Sequence, residues 1–145
     1  MSDFDTLGKH IGEIDSVIDA WIARLGLGYN HFAVLYSLAV TPDGACTQKQ
    51  ICDDWYLAKQ TVFNICKEYR ERGWIEFGAS PHDKRERILH LTDLGKTHAT
   101  PVVEQTQAVF GQALDKFGTQ KTAQLFALMS EFSQVCQNEI EQIKT

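Results

Sequence analysis

The first 25 residues carry apolar side chains at alternating spacings of three and four residues. This stripe consists of Phe4, Leu7, Ile11, Ile14, Ile18, Trp21 and Leu25. The alternation is a heptad pattern, which is typical of a helix that buries one face against other helices. Gly26 follows as a natural helix stop. The pattern therefore predicts a helix from about Asp3 to Leu25.

Two shorter helices are predicted next. The first begins at Gly28 or Asn30, either of which can form the N-terminal cap, and it ends in the turn-forming sequence Thr41–Gly44. The second is a short helix that begins after Thr47, because Thr47 and Gln50 have the spacing of a capping box.

The segment Lys59–Arg72 is predicted to be a helix with one buried face and one polar face. Its apolar residues have the spacing of a single helix face and are Val62, Ile65, Cys66 and Tyr69. Gln60 and Asn64 then lie side by side on the opposite face. Side-chain amides can form paired hydrogen bonds with adenine in the major groove of DNA. The alternative is an ordinary solvated helix face, but the flanking elements favour DNA binding.

A β-hairpin is predicted after Gly73, which ends this helix. Trp74–Phe77 and Arg87–Leu91 show the alternation of half-buried strands, and the polar segment Gly78–Glu86 forms the tip between them. Two strands alone are unstable, so the hairpin should pack against the three helices that precede it.

Two long helices are predicted to complete the chain. Thr92 can cap the first, and Pro101 should either kink this helix or mark its true start. Thr119 can cap the last helix, whose apolar stripe continues to Ile143. These two helices and the N-terminal one are longer than a small central module needs as cover. We therefore expect a two-fold dimer in which they interleave, with a monomeric helix bundle as the alternative.

The charge of the chain is unevenly distributed. The formal net charge of the 145 residues is −5, which by itself weakly disfavours nucleic acid as a partner. The segment 59–87 holds seven basic and five acidic residues, a net of +2, which leaves −7 elsewhere. A basic segment on an acidic body suits a protein that meets a polyanion through one surface. We expect a cytoplasmic protein without a membrane partner, because neither a membrane-spanning run nor a secretory signal is apparent.

The sequence predicts no cofactor, no metal site and no enzymatic activity. The four cysteines lack the CxxC spacing of zinc or thioredoxin-like sites and are Cys46, Cys52, Cys66 and Cys136. The five histidines are scattered, and no nucleophile–base pairing or phosphate-binding glycine loop is recognisable.

Three motifs together resemble the winged helix-turn-helix of the MarR family of bacterial transcription regulators. They are Leu57–Val62 after the Thr47-capped helix, the exit sequence Glu71–Glu76, and Asp83-Lys84-Arg85 followed by Ile88–Gly95. The resemblance implies a mainly α fold with a small β-hairpin, in which one domain spans residues 1–145. Within it, 30–92 would be the winged helix-turn-helix module, and 3–25 and 93–144 would be the dimerisation helices.

The resemblance also implies a sequence-specific regulator that binds double-stranded DNA at a pseudo-palindromic operator as a homodimeric repressor. The helix Lys59–Arg72 would enter the major groove, Arg85 at the wing tip would enter the minor groove, and Asp83 would support the wing by pairing with Arg87. The residues implied in DNA binding are Lys59, Gln60, Thr61, Asn64, Lys67, Lys84, Arg85 and Arg87. A winged-helix scaffold that binds protein instead of DNA is the alternative function. The bulky Phe63 on the flank of this helix departs from the family pattern. It either packs against the turn or touches a thymine methyl group.

Family members often respond to small aromatic ligands that bind where the DNA-binding module joins the dimer region. In this chain, the aromatic and histidine residues that bracket this junction are Trp21, Tyr29, His31, Phe32 and Tyr36. Core packing is the alternative role for these side chains. The peroxide-sensing branch of the family uses a cysteine in the N-terminal helix. The first cysteine of this chain is Cys46, so the predicted N-terminal helix contains none.

Overall fold

A computed structural model describes residues 1–42, 45–80 and 85–143. In chain order, the described elements are α1 (Asp3–Arg24), α2 (Tyr29–Val40), β1 (Ala45–Thr47), α3 (Gln48–Trp55), α4 (Lys59–Glu71), β2 (Ile75–Ala79), β3 (Arg87–Leu91), α5 (Asp93–Phe117) and α6 (Thr119–Glu141). The predicted mainly α fold with a β-hairpin beside a helix-turn-helix is confirmed.

The β-sheet has one strand more than the sequence predicted. Its order is β1-β3-β2, and both pairings are antiparallel. The predicted hairpin is formed by β2 and β3, with Ile75 opposite Leu91 and Ala79 opposite Arg87. The unpredicted β1 pairs through Cys46 and Leu89. A strand of three residues is too short to show alternation, which explains why the pattern did not reveal it.

Most of the core lies between α2, α3, α4 and the sheet. The buried side chains that form one continuous cluster include Val34, Leu35, Leu38, Ile51, Val62, Ile65, Tyr69, Ile75 and Leu89. Three helices and a sheet therefore enclose a shared apolar interior, and the predicted packing of the hairpin against the helices is confirmed.

Side-chain hydrogen bonds cap the first turns of α1, α3 and α5. The predicted capping box is present, since Thr47 Oγ1 accepts from the Gln50 amide at 3.1 Å and Gln50 Oε1 accepts from the Thr47 amide at 2.8 Å. Thr92 Oγ1 accepts from the Gly95 amide at 3.0 Å, as expected for the cap of α5. The predicted cap at Thr119 is wrong by one position, because Gly118 caps α6 with a φ of 116°, a value that favours glycine.

Pro101 lies inside α5 and does not mark its start.

The chain divides into two compact units, residues 1–104 and residues 105–145. The first unit contains α1 to α4, the sheet and the beginning of α5, and the second contains the rest of α5 and α6. Across the described ranges, no helix combines the length and the apolar character that crossing a membrane requires.

Candidate DNA-binding surface

The helix α4 is fixed to the protein through one face. Val62, Ile65, Cys66 and Tyr69 on this face are at most 4% exposed. The hydroxyl of Tyr69 donates a hydrogen bond of 2.9 Å to the backbone carbonyl of His31 in α2. Burial also raises the pKa of Tyr69, so this hydroxyl keeps its proton and remains a donor. The buried face therefore sets the rotation of α4 about its axis.

The opposite face of α4 is polar and exposed, as the sequence predicted. Lys59, Gln60, Asn64 and Lys67 all lie on the surface, and Thr61 is half-buried. Gln60 Nε2 donates a hydrogen bond of 2.9 Å to Asn64 Oδ1, so the two amides form one unit. Gln60 keeps its carbonyl oxygen and one N–H for an external partner, and Asn64 keeps both N–H groups.

The entry to α4 leaves backbone donors open. Tyr56 in the preceding turn adopts a left-handed backbone with a φ of 53°, and its side chain is 91% exposed. In the described residues, no side chain caps α4, whose N-cap is Ala58. The N–H groups of the first turn can therefore hydrogen-bond an external acceptor such as a phosphate.

Glu68 ties α4 to α2, a role that the sequence did not reveal. Its Oε2 accepts from His31 Nε2 and its Oε1 accepts from Arg72, each at 2.8 Å. The hydrogen bond with His31, helped by the nearby charge of Arg72, lowers the pKa of Glu68. The pairing of Glu68 and Arg72 follows from their spacing of four residues. The pairing with His31 depends on how two helices pack and has no local signal.

The wing hairpin is joined to α4 through the ring of Phe77. The guanidinium of Arg70 on α4 lies 4.8 Å from the ring centroid, and that of Arg87 on β3 lies 5.5 Å from it. Arg85 is exposed close to the tip. Asp83 and Lys84 lie outside the described residues, so the pairing of Asp83 with Arg87 stays a prediction.

The exit from α4 is packed closely against α5. The ring of Trp74 stacks on Tyr69 at 5.1 Å and on His98 at 4.3 Å. Thr92 Oγ1 donates to the Gly73 carbonyl at 2.6 Å. A Cβ at Gly95 would lie 2.0 Å from the carbonyl oxygen of Trp74, so only glycine allows this approach. The motif that ends in Gly95 therefore has a packing role in this fold.

Comparisons with known proteins identify the family. The sequence model of the MarR family matches residues 25–86. A solved structure of NMB1585, a MarR family regulator from Neisseria meningitidis, is 40% identical, has a TM-score of 0.89, and the match covers 99% of this chain and 100% of that chain. The chain belongs to the MarR family. It is a DNA-binding transcriptional regulator with the winged-helix fold that the sequence predicted.

Two curated regulators agree with this assignment. The uncharacterized HTH-type transcriptional regulator YdcH of Bacillus subtilis is 31% identical over 101 residues, which are 66% of this chain and 69% of the relative. The HTH-type transcriptional regulator Hpr of Halalkalibacterium halodurans is 31% identical over 98 residues, which are 65% of this chain. The match spans about half the length of that regulator.

In this MarR family chain, the five candidate ligand residues fall into different groups. Tyr29, Phe32 and Tyr36 surround Trp55 of α3, with ring centroids 6.2, 6.2 and 5.9 Å from it. His31 lies on the other side of α2, against Glu68 and Tyr69. Trp21 is half-buried on α1. Trp55 is the aromatic residue that sequence reasoning missed, although its spacing in the short helix was visible.

The cysteines of the first unit are packing residues. Cys46 and Cys66 are buried and form no disulfide, and burial raises the pKa of both thiols, to about 12 for Cys66. Thiols of this kind are weak nucleophiles, because the reactive thiolate is disfavoured. Within the described ranges, His, Cys, Asp and Glu side chains do not gather in threes as a metal site would require.

Proposed function

We propose that this MarR family member is a homodimeric repressor that binds a pseudo-palindromic operator, with α4 of each protomer in the major groove. The observation that carries the proposal is the exposed pair of Gln60 and Asn64. Gln60 already donates one hydrogen to Asn64. Its remaining N–H and its carbonyl oxygen match N7 and the N6 amino group of adenine, so the pair is oriented for base reading before DNA arrives.

Contacts with phosphates would set the position of α4 along the duplex. Lys67 lies on the same exposed face as the amide pair, and the exposed Lys59 is the first residue of the helix. Thr61 and the uncapped first turn of α4 add hydrogen-bond donors at the entry to the groove. Such contacts fix register and carry little sequence information, so reading the bases falls to Gln60 and Asn64.

The wing would follow the neighbouring minor groove. We assign minor-groove insertion to Arg85, and phosphate contacts to Lys84 and Arg87. The ring of Phe77 supports this arrangement because the guanidinium groups of Arg70 and Arg87 both pack over it, 4.8 and 5.5 Å from its centroid. Asp83 would hold the base of the wing by pairing with Arg87. Narrow A·T-rich minor grooves attract arginine through their enhanced negative potential.

A second copy of the chain would cover the long helices. On α1, Phe4, Ile11, Ile14 and Val17 are between 53% and 78% exposed. None of the residues described in α6 is buried, and Phe126, Leu128 and Phe132 are 48% to 62% exposed. Two protomers related by a two-fold axis would place two α4 helices on half-sites about 34 Å apart.

A small aromatic ligand would relieve repression by binding near the rings that surround Trp55. A groove of about 370 Å³ beside this cluster is lined by Asp15, Ile18, Asp19 and Tyr29. Two carboxylates in so small a space favour a neutral or cationic aromatic compound over an anionic one. Trp21, His31, Phe32 and Tyr36 would act from the surrounding elements, either by direct contact or by packing.

Selection of DNA from a random pool of duplexes tests the proposed function. The purified protein should enrich a sequence with two-fold symmetry, and its affinity, measured by fluorescence anisotropy, should fall steeply as salt rises. Arg85→Ala should weaken binding by about 1–3 kcal/mol. Arg24→Ala, the same change on α1, is the matched control and should leave affinity nearly unchanged. If the protein enriches no duplex, the result would favour the alternative function, a winged-helix scaffold that binds proteins instead of DNA.

A further inference from the structure

Phe63 is an aromatic residue at the edge of the polar face of α4. Its side chain is 47% exposed, whereas Val62 beside it is fully buried. At 100° per residue, Phe63 lies about 40° from Lys67 and about 60° from both Gln60 and the buried Cys66 around the helix. The ring therefore lies at the edge of the polar face, beside groups that we assign to DNA.

The surroundings of Phe63 limit what can cover its ring. Lys59 and Lys67 lie four residues before and after it, on the same side of the helix. A partner that buries the ring must also accept two ammonium groups. A polyanion that exposes a small apolar group satisfies both requirements. Duplex DNA meets this description, because the C5-methyl group of thymine faces the major groove.

We infer that Phe63 reads the methyl group of a thymine in the base pair next to the pair that Gln60 and Asn64 read. The inference rests on the proposed function and adds a specificity-determining residue to it. Side chains three residues apart on a helix have Cβ atoms about 5–6 Å apart. Successive base pairs are about 3.4 Å apart, so the ring and the amides reach adjacent pairs. The preferred half-site thus contains a thymine at a fixed step from the adenine.

Uracil replacement isolates this contact, because deoxyuridine differs from thymidine only in lacking the methyl group. The probe is the duplex that the native protein enriches from a random pool, with each thymine replaced in turn. Loss of one buried methyl group should weaken binding of the native protein about fourfold per half-site, and about 15-fold when both half-sites are changed.

Three variants separate the methyl contact from other effects. Phe63→Ala should bind the thymine duplex more weakly than native protein does, and it should bind the thymine and uracil duplexes with equal affinity. Phe63→Leu should retain part of the discrimination between the two duplexes. Tyr56→Asn removes an exposed aromatic ring from the turn before α4, in a residue type that tolerates a left-handed backbone, and should discriminate like the native protein. Thermal unfolding confirms that each variant is folded.

Two results would overturn the inference. One is that no single uracil replacement lowers the affinity of the native protein. The other is that Phe63→Ala protein still discriminates between the thymine and uracil duplexes. This result would assign the ring to sugar or backbone contacts. Failure of the proposed function looks different, since no duplex would then be enriched at all.

Discussion

The helices α4 and α6 are both amphipathic, but their apolar faces have different surroundings within one chain. The apolar face of α4 is buried by α2, α3 and the sheet, and Tyr69 in it is fully buried. In α6, Phe132 and Leu128 remain 48% and 62% exposed. The free face of α4 is polar, as a DNA-reading surface requires, whereas the free face of α6 is apolar, as a protein interface requires. Two helices with similar apolar patterns in the sequence thus expose faces of different polarity, which suit different partners.

The largest expected effect comes from placing a charge on the exposed apolar face of α6. Phe132→Glu should raise the dimer dissociation constant by roughly 30- to 1,000-fold, because a desolvated aromatic contact is replaced by a buried charge. Sedimentation should then show monomers at micromolar concentration. Gln137→Glu adds the same charge on another face of α6 and should leave the dimer intact. Native protein that sediments as a monomer would remove the basis of this prediction.

The second effect concerns the contact that holds the exit of α4 on α5. Gly95→Ala should lower the free energy of unfolding by about 1–3 kcal/mol, because the new methyl group would overlap the carbonyl of Trp74. Gly111→Ala in the same helix meets no atom within 4 Å and should be neutral or stabilising. Urea denaturation at fixed protein concentration measures both changes. Equal effects at the two positions would contradict the close approach at Gly95.

The third effect tests the hydrogen bond that sets the rotation of α4. Tyr69→Phe removes only the hydroxyl that donates to the His31 carbonyl. It should lower the free energy of unfolding by about 1 kcal/mol, because one part-buried hydrogen bond between α4 and α2 is lost. Urea denaturation measures the change. A variant as stable as the native protein would show that packing alone holds this face of α4.

The smallest effect is a pH dependence at Glu68. Its pKa is lowered in the folded protein, so the interaction adds stability above the ordinary value of 4.5, and this stability is lost as the pH falls through the folded pKa. The free energy of unfolding of Glu68→Gln, measured by urea denaturation, should therefore be lower than that of the native protein at neutral pH. The two values should converge in acid. The contribution is modest because the side chain is 39% exposed.

His31→Gln provides the partner control for Glu68. Once the hydrogen bond between the two residues is gone, the additional change Glu68→Gln should alter the pH dependence of unfolding much less. If the two changes are instead additive, Glu68 owes its lowered pKa to groups other than His31.

The features predicted from the sequence are those with a local cause. The buried and exposed faces of α4, the capping box at Thr47 and the strand Arg87–Leu91 follow from spacing and side-chain chemistry. The missed features depend on distant packing. The strand β1 exists because β3 lies beside it, and His31 pairs with Glu68, 37 residues away, only once α2 crosses α4. The role of Gly95 is likewise visible only when Trp74 is in place.

The most direct test of the central claim, that the amide pair on α4 reads DNA, is a base-replacement series on the selected duplex. Native protein should lose about 1–3 kcal/mol of binding free energy for each half-site in which one particular A·T pair becomes G·C. Protein with Gln60→Ala and Asn64→Ala should bind both duplexes equally and more weakly than native protein binds its preferred one. If the double variant still distinguishes the two duplexes as native protein does, the amides do not read the operator.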